Sequence, residues 1–461
     1  MKRVLAFDLG ASSGRALLAE YENHRITCQE VHRFENNPRE KDGCLRWDFQ
    51  DLMQNIRLGL EKAGQVDSIA FDTWGVDFGL LDQQGNLLED PVHYRDQRTD
   101  GSVEKAEKVL DKDSLYGETG TQIMSINTLF QLLVTKETQP QLWKKVHRML
   151  FMPDLLAYSL CGSQACETTI ASTSQLLDPR TKSWSLPVLD TFQIPQSLFP
   201  PLVKSGSIIG EYQGAKVIAA AGHDTQCAVA ALPSPEKDAA FLSCGTWSLL
   251  GCELDEPILT RESRELGLSN EVGANGKINY LKNIIGLWLI QESRRQWRRE
   301  GQDLSYAKLE QLALEAQPLR SFIDPDAPEF APPGDIPGRV RDFCRRTGQP
   351  VPETVGQVMH LRKPGAEISL RPGSAFPSHG QDLLYPSCTG RRHQRRFTLP
   401  HDCWLHRTPG DRRAGGSHCL WEYPDSVNGL GRTGKHRRRP GIAGPHRSCH
   451  PLRTPGTQSM E

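Results

Sequence analysis

The stretch Val4-Leu5-Ala6-Phe7-Asp8-Leu9-Gly10-Ala11-Ser12-Ser13-Gly14-Arg15 decides how this chain is read. An apolar strand runs into an aspartate, then into a turn of small residues, then into a second apolar run, Ala16-Leu17-Leu18-Ala19. Such a turn leaves backbone N–H groups unscreened by side chains. Those donors, with the serine hydroxyls and Arg15, suit a phosphate. Asp8 sits where a carboxylate can hold a metal ion beside it. Taken alone, the same residues read equally as an ordinary hairpin with a glycine-rich turn.

The plan recurs further along. Residues 239–243 read as a strand, Cys244-Gly245-Thr246-Trp247-Ser248 as a small-residue turn, and 249–252 as a second strand. Two such hairpins facing one another would grip a phosphate chain from both sides. Between them, Phe49, Leu52, Met53, Ile56 and Leu60 recur at helical spacing, predicting an amphipathic helix over Phe49–Ala63 with Asp48 as its N-cap. Residues 68–71 read as a short buried strand that enters Asp72-Thr73-Trp74-Gly75-Val76-Asp77-Phe78, with another strand at 79–81. Helices are expected at 127–136 and 152–160. A strand at 217–221 stops at Gly222-His223-Asp224-Thr225, where a helix begins, and Leu232-Pro233-Ser234-Pro235 is a candidate hinge. Residues 283–298, carrying Trp288, and 304–316 read as helices. This mixed order of elements defines an α/β chain in two lobes.

On spacing alone, Asp224 caps the helix that follows it, a common role for aspartate. His223 is either a core histidine or a ligand contact. Trp74, Trp247 and Trp288 read as core or cleft wall. Asp77 and Arg95 are left between partners of a ligand's hydroxyls and surface ion pairs.

The 461 residues suffice for two or three domains with full cores. The net charge of -1 averages two unlike segments. Residues 361–461 hold 17 Lys and Arg against 7 Asp and Glu, leaving 38 against 49 in residues 1–360. The basic segment has one Val (Val427) and two Ile (Ile368, Ile442), too few β-branched residues to build a core. No stretch approaches the ~20 apolar residues of a membrane span, and Asp8 interrupts the N-terminal apolar run, so no signal peptide is read there. The 12 Cys lack paired CxxC spacing, which predicts free thiols in a cytoplasmic protein.

The segments DLGASSGR at 8–15, DTWGVDFGLLD at 72–82, YRDQRT at 94–99, MPDLLAY at 152–158, GHDT at 222–225, SCGTWSLLG at 243–251 and LKNIIGLWLIQ at 281–291 together resemble the FGGY family of carbohydrate kinases. The resemblance implies an actin-like, ribonuclease-H-like fold, with an N-terminal lobe over 1–232 and a partial second lobe over 233–360. It implies ATP as co-substrate and Mg²⁺ as cofactor. Ala11, Ser12, Ser13, Gly14 and Arg15 would contact ATP from the first lobe, and Thr246 and Gln291 from the second. Gly75, His223, Asp224, Thr225 and Asn283 would line the sugar site. Asp8 would position Mg²⁺ through water, and Asp224 would be the catalytic base. DTWGVDF, GTWSL and NIIGLWL point to the branch of the family that phosphorylates L-rhamnulose at its 1-hydroxyl. Small-molecule sugar and ATP are the expected partners, without membrane or nucleic acid, and the chain is expected as a monomer. Another ketose or deoxy sugar is the alternative substrate.

The resemblance stops at residue 360. The family continues with an amphipathic helix and a GGG-type turn for the adenosine, and residues 361–461 carry neither. The decapeptide from His360 to Ser369 can be back-translated so that reading from the second base gives IYESLALKYR, the start of an amphipathic helix. Residues 361–461 are therefore read as out of frame. The consequence expected is an incomplete second lobe, with apolar helix faces left exposed over 283–298 and 304–316 and impaired kinase activity. The alternative is a non-catalytic remnant. Basic runs such as 391–396 and 436–439 suit phosphates, but no aromatic residues interleave them as in nucleic-acid-binding segments.

Overall fold

The structure, a computed structural model, describes residues 1–232, 240–317 and 320–359, with the backbone of two short paired strands, Glu367–Ile368 and Phe397–Thr398. The expected hinge at 233–235 and the rest of the 361–461 segment lie outside the described residues.

The opening stretch forms the expected hairpin. Strands β1 (Lys2–Leu9) and β2 (Ser13–Glu22) pair antiparallel with Asp8 opposite Arg15, and β3 (Arg25–Glu35) extends the ladder. Helix α1 (Phe49–Ala63) starts at Asp48, whose Oδ1 accepts from the Asp51 amide at 2.9 Å, as a capping aspartate should. Strand β4 (Ser68–Thr73) returns parallel to β1 and sets Asp72 beside Asp8. Strand β5 (Phe78–Leu81) precedes α2 (Thr128–Thr138) and pairs with β6 (Arg148–Phe151), which leads into α3 (Met152–Cys161). Strands β7 (Ser207–Tyr212) and β8 (Ala215–Ala219) complete a six-stranded sheet of order β7-β8-β4-β1-β2-β3, and α4 (Asp224–Ala230) follows β8.

Apolar alternation along β1 and β4 buries Leu5, Phe7, Leu9 and Phe71 against α1 and α3. The Phe7 and Phe71 rings stack at 5.1 Å. Helix α1 lies so close to the sheet that a Cβ at Gly59 would come within 2.7 Å of the Phe7 ring.

A second, four-stranded antiparallel sheet has the order β9-β10-β12-β11, from β9 (Ala240–Cys244), β10 (Trp247–Leu254), β11 (Ser269–Val272) and β12 (Ile278–Ile285). Here the sequence reading is corrected. Asn283 to Ile285 belong to β12, paired with β10, and the helix α5 begins only at Trp288 (Trp288–Arg299). Helices α6 (Tyr306–Glu315), α7 (Ile336–Arg346) and α8 (Val355–Met359) follow. Trp297 of α5, Leu309 of α6 and Val358 of α8 share a small core. The exposure expected of α5 is not seen, since Trp288 and Trp297 are buried. Helix α6 does leave Tyr306 and Leu314 exposed. Among the described residues, seven cysteines are free thiols and no helix is long and apolar enough to cross a membrane.

Candidate active site

Both small-residue turns open onto one cleft of about 840 Å³, open mouth included. Ala11 and Ser12 line it from the first turn, Gly245, Thr246 and Trp247 from the second, and Gly75, His223, Asp224, Thr225 and Asn283 from between. Ser13, Gly14, Arg15, Gln291 and Asp8 are not among the residues that line it. A more open groove containing Lys112, Gln122 and Arg264 adjoins it through Met124.

The first turn is held open by Asn36, a residue sequence reasoning missed. Its side-chain amide donates to the Gly10 carbonyl at 2.9 Å and its backbone amide to the Ser12 carbonyl at 3.2 Å. Among the described residues, the Ala11 and Ser12 amides find no acceptor within the chain. Donors so arranged at a cleft are an anion cradle. The second turn is propped in the same sense. Its Gly245 and Thr246 carbonyls accept from the amides of Leu287 (3.0 Å), Gly286 (3.1 Å) and Trp288 (3.2 Å). A Cβ at Gly286 would lie 2.8 Å from the Gly245 carbonyl oxygen, so only glycine permits this approach. Thr246 donates to Gln291 at 3.3 Å, which joins the two residues expected at ATP.

Three carboxylates meet at the sheet ends. Asp8 accepts from Arg15 Nε at 2.9 Å and pairs with its guanidinium. Burial, then the charges of Asp8 and Asp224, push the Asp72 carboxyl well above the usual range. Such crowded negative charge is what a divalent cation relieves. Among the described residues no group of three or more His, Cys, Asp or Glu is placed to hold a metal ion.

Asp224 is the first residue of α4, with His223 as the N-cap residue. Its Oδ1 accepts from the Thr225 amide at 2.6 Å and lies 3.4 Å from His223 Nε2. The strand end that presents it is pinned by Glu167, which is buried and accepts from the Gly222 amide at 3.0 Å, the Thr169 amide at 2.8 Å and Ser205 Oγ at 2.6 Å. Asn283 donates to Gln122 Oε1 at 3.2 Å from both its amides.

The loop before β5 carries strain. Val76 has φ +67°, a conformation costly for a β-branched residue. Its amide donates to Thr173 Oγ1 at 3.2 Å and its carbonyl accepts from Thr128 Oγ1 at 2.7 Å. Asp77 is neither a sugar ligand nor a surface ion pair, because it is fully buried. It accepts from Trp47 Nε1 (2.7 Å), Trp74 Nε1 (2.9 Å), Gln131 Nε2 (3.1 Å) and the Tyr94 amide (3.2 Å). Burial raises its pKa to about 6 against the pull of those donors. Arg95 also leaves the surface. Its guanidinium sits 3.9 Å from the Trp288 ring centroid and 5.2 Å from that of Trp247, and donates to the Ala331 carbonyl at 2.7 Å.

A sheet hairpin with an anion cradle, a second hairpin opposite it and an aspartate between them define a phosphotransferase cleft. The N-terminal domain of the FGGY family of carbohydrate kinases matches residues 3–240 and its C-terminal domain residues 240–360, so the chain belongs to that family of sugar kinases. Among curated proteins it is similar to two named rhamnulokinases. That of Enterococcus faecalis is 40 % identical over 369 residues, covering 77 % of this chain and 74 % of that protein. That of Bacteroides thetaiotaomicron is 41 % identical over 368 residues, covering 77 % and 75 %. The chain thus spans about three quarters of the length of these relatives. Among solved structures, ligand-bound xylulose kinase from Lactobacillus acidophilus superposes with TM-score 0.58 at 15 % identity, covering 69 % of this chain and 66 % of that one. Plasmodium falciparum glycerol kinase with ADP gives 0.56 at 15 %, covering 69 % and 67 %. At that identity the likeness shows the fold.

Proposed function

We propose that this chain is an L-rhamnulose kinase whose Asp224 removes the proton from the sugar 1-hydroxyl as that oxygen attacks the γ-phosphorus of ATP. The observation that carries the reading is Asp224 facing one cleft with both anion-binding turns. The new bond is O1–P, the bond broken joins the γ-phosphorus to the β,γ-bridging oxygen, and ADP leaves. An alcohol is a weak nucleophile, and an aligned carboxylate is worth roughly 10²–10⁴ in rate. Ala11 and Ser12 amides, with Thr246 across the cleft, offer donors to the phosphates. Asp8, beside Asp72, would hold the magnesium, which when bound neutralises charge on the phosphates. Gly75, His223, Thr225 and Asn283 line the sugar side, Ser13 to Arg15 and Gln291 back the nucleotide side, and Trp74 and Trp247 wall out water, which would otherwise take the phosphoryl group. The family and the relatives' names support this reading, and a cytoplasmic location is proposed with it.

The lobe boundary near residue 232 is proposed with it, as is the out-of-frame reading of 361–461, since the family match ends at 360. The chain as written is then expected to turn over slowly. The test is ADP release with Mg-ATP and L-rhamnulose, beside other ketoses, for this chain, a frame-repaired chain and the Asp224→Asn variant of each. Turnover confined to the repaired protein, lost on Asp224→Asn, supports both parts. Equal turnover by both chains removes the impairment. Preference for another ketose replaces the substrate, and activity surviving Asp224→Asn removes the base.

A further inference from the structure

Glu271 is named by none of the motifs above, yet it lines the cleft and is 3 % exposed. It stands on β11, in the region matched by the second family domain, and its carboxylate reaches into the first. Its Oε2 lies 3.0 Å from His223 Nδ1 and 2.8 Å from Gln226 Nε2. Gln226 in turn accepts from Asn279, the residue opposite Glu271 on β12. Both His223 and Gln226 belong to the turn and first helical residues that carry Asp224.

The strand that delivers Glu271 is fastened on both edges. One edge pairs with β12. On the other, the Asn270 amide donates to the Gly120 carbonyl at 2.8 Å and the Val272 amide to Ser172 Oγ at 2.9 Å, both in the first region. The carboxylate therefore has little freedom to move away from the histidine while the two regions stay in contact. A buried carboxylate is expensive, and replacing a buried ion pair as a whole by apolar residues of similar volume is often neutral or stabilising, so stability alone does not account for it. Among the described residues, its ion-pair partner is His223.

We propose that Glu271 is a positioning residue, which fixes the His223 ring so that its Nε2–H is presented to the base Asp224. Carboxylates accept, so Nδ1 donates to Glu271 and Nε2 donates to Asp224 Oδ1, the doubly protonated form of the ring. The ring orients the carboxylate that takes the sugar proton, and it does so only when β11 has brought Glu271 across. The geometry of the base is in this way tied to apposition of the two regions. The inference rests on the reading of Asp224 as base.

The test compares the full-length chain with Glu271→Gln, His223→Asn and the double variant. Two readouts are taken, turnover of L-rhamnulose with Mg-ATP and the imidazole ¹⁵N–¹H spectrum, with the His223 signals assigned by their loss in His223→Asn. Glu271→Gln, near in shape and still able to accept, is expected to lower kcat by roughly 10–100-fold, the range for outer partners of a working histidine. KM for the sugar is expected to stay within about threefold, because the side chain acts through the histidine. In the His223→Asn background the same change is expected to cost nothing further. The His223 Nδ1 proton should move upfield in Glu271→Gln. Multiplicative losses in the double variant, or a rise in KM at constant kcat, would overturn the proposal. If the unsubstituted chain turns over no sugar, kcat and KM are read on the same variants of the frame-repaired chain; no turnover there means that the kinase reading has failed, and the spectrum still decides the contact. A Nδ1 proton unmoved by Glu271→Gln refutes it.

Discussion

Replacing Asp77 with alanine is expected to destabilise the chain by about 3–5 kcal/mol at pH 7, and by more at pH 4. The substitution removes an acceptor from four buried donors, on Trp47, Trp74, Gln131 and Tyr94, of which Gln131 keeps the Ile126 carbonyl at 2.9 Å. Each lost acceptor costs about 1–3 kcal/mol, so the four together cost roughly 4–12, about 6–8 near the middle of that range. Against this stands the burial of the carboxylate itself. Its pKa is raised from 3.8 to about 6, burial being the largest cause. For an acid raised on folding, the native state holds the proton more tightly, so stability is fully present below the unfolded pKa and declines as pH rises through the folded one. Ionisation of Asp77 thus removes about 3 kcal/mol in all, most of it between pH 4 and pH 7. Alanine escapes that loss, and the gap between the two proteins narrows as pH rises.

Asparagine separates the two contributions. Its oxygen in the Oδ2 position keeps three of the donors, while its NH₂ opposes Gln131 Nε2, whose Oε1 is already accepting from Arg98 at 2.9 Å. One mismatch of about 1–3 kcal/mol then offsets the relief of ionisation. Asp77→Asn should match the parent near pH 7 and fall below it near pH 4. The assay is urea unfolding at pH 4, 5, 6 and 7, followed by far-ultraviolet circular dichroism and by tryptophan emission, since Trp47 and Trp74 both bond this carboxylate. A penalty for alanine that is constant across pH, or that widens as pH rises, would refute the assignment of a raised pKa. An alanine penalty below about 1 kcal/mol would refute the donor network.

Three further outcomes follow from the packing. Gly14→Ala would bring a Cβ within 2.2 Å of the Phe34 ring, and should cost about 1–3 kcal/mol of urea stability, recovered in part by adding Phe34→Leu. Arg95→Leu should cost about 1–2 kcal/mol and raise emission from Trp247 and Trp288, whereas Arg95→Lys, without the planar face, should recover little. Glu167→Ala strands the Gly222 and Thr169 amides and should lower both stability and sugar binding by calorimetry. Glu167→Gln should be mild, because its NH₂ can donate to Ser205 Oγ while its oxygen serves the amides.

How much of this was legible in the sequence depended on how far apart the partners lie. The first hairpin and α1 were readable because strand alternation, the 3.6-residue spacing and the Asp48 cap are local signals, and each agrees with the others. The error over 283–298 came from the same local logic. Ile284 and Ile285 continue an apolar run into Leu287 and Trp288, and such a run does not say whether it is a buried strand or a buried helix. Pairing with Ser248 and Trp247 of β10 decides for strand, and only the fold shows that pairing. The site divides along the same line. Asp8, the two turns and His223 to Thr225 were legible as candidates because their chemistry is written in contiguous residues. Asn36 supports a turn 26 residues away, Glu271 reaches a histidine 48 residues away, and Gln122 meets Asn283 across 161 residues. A lone Asn, Glu or Gln carries no periodicity and no motif, and most such residues are solvated. Burial without exposure to water is what turns each of them into an obligatory partner, because an unmade hydrogen bond inside the protein costs more than a made one contributes. The groups that fix the catalytic geometry are therefore expected to be the ones that a single sequence conceals, and Glu271 is the strongest case among them.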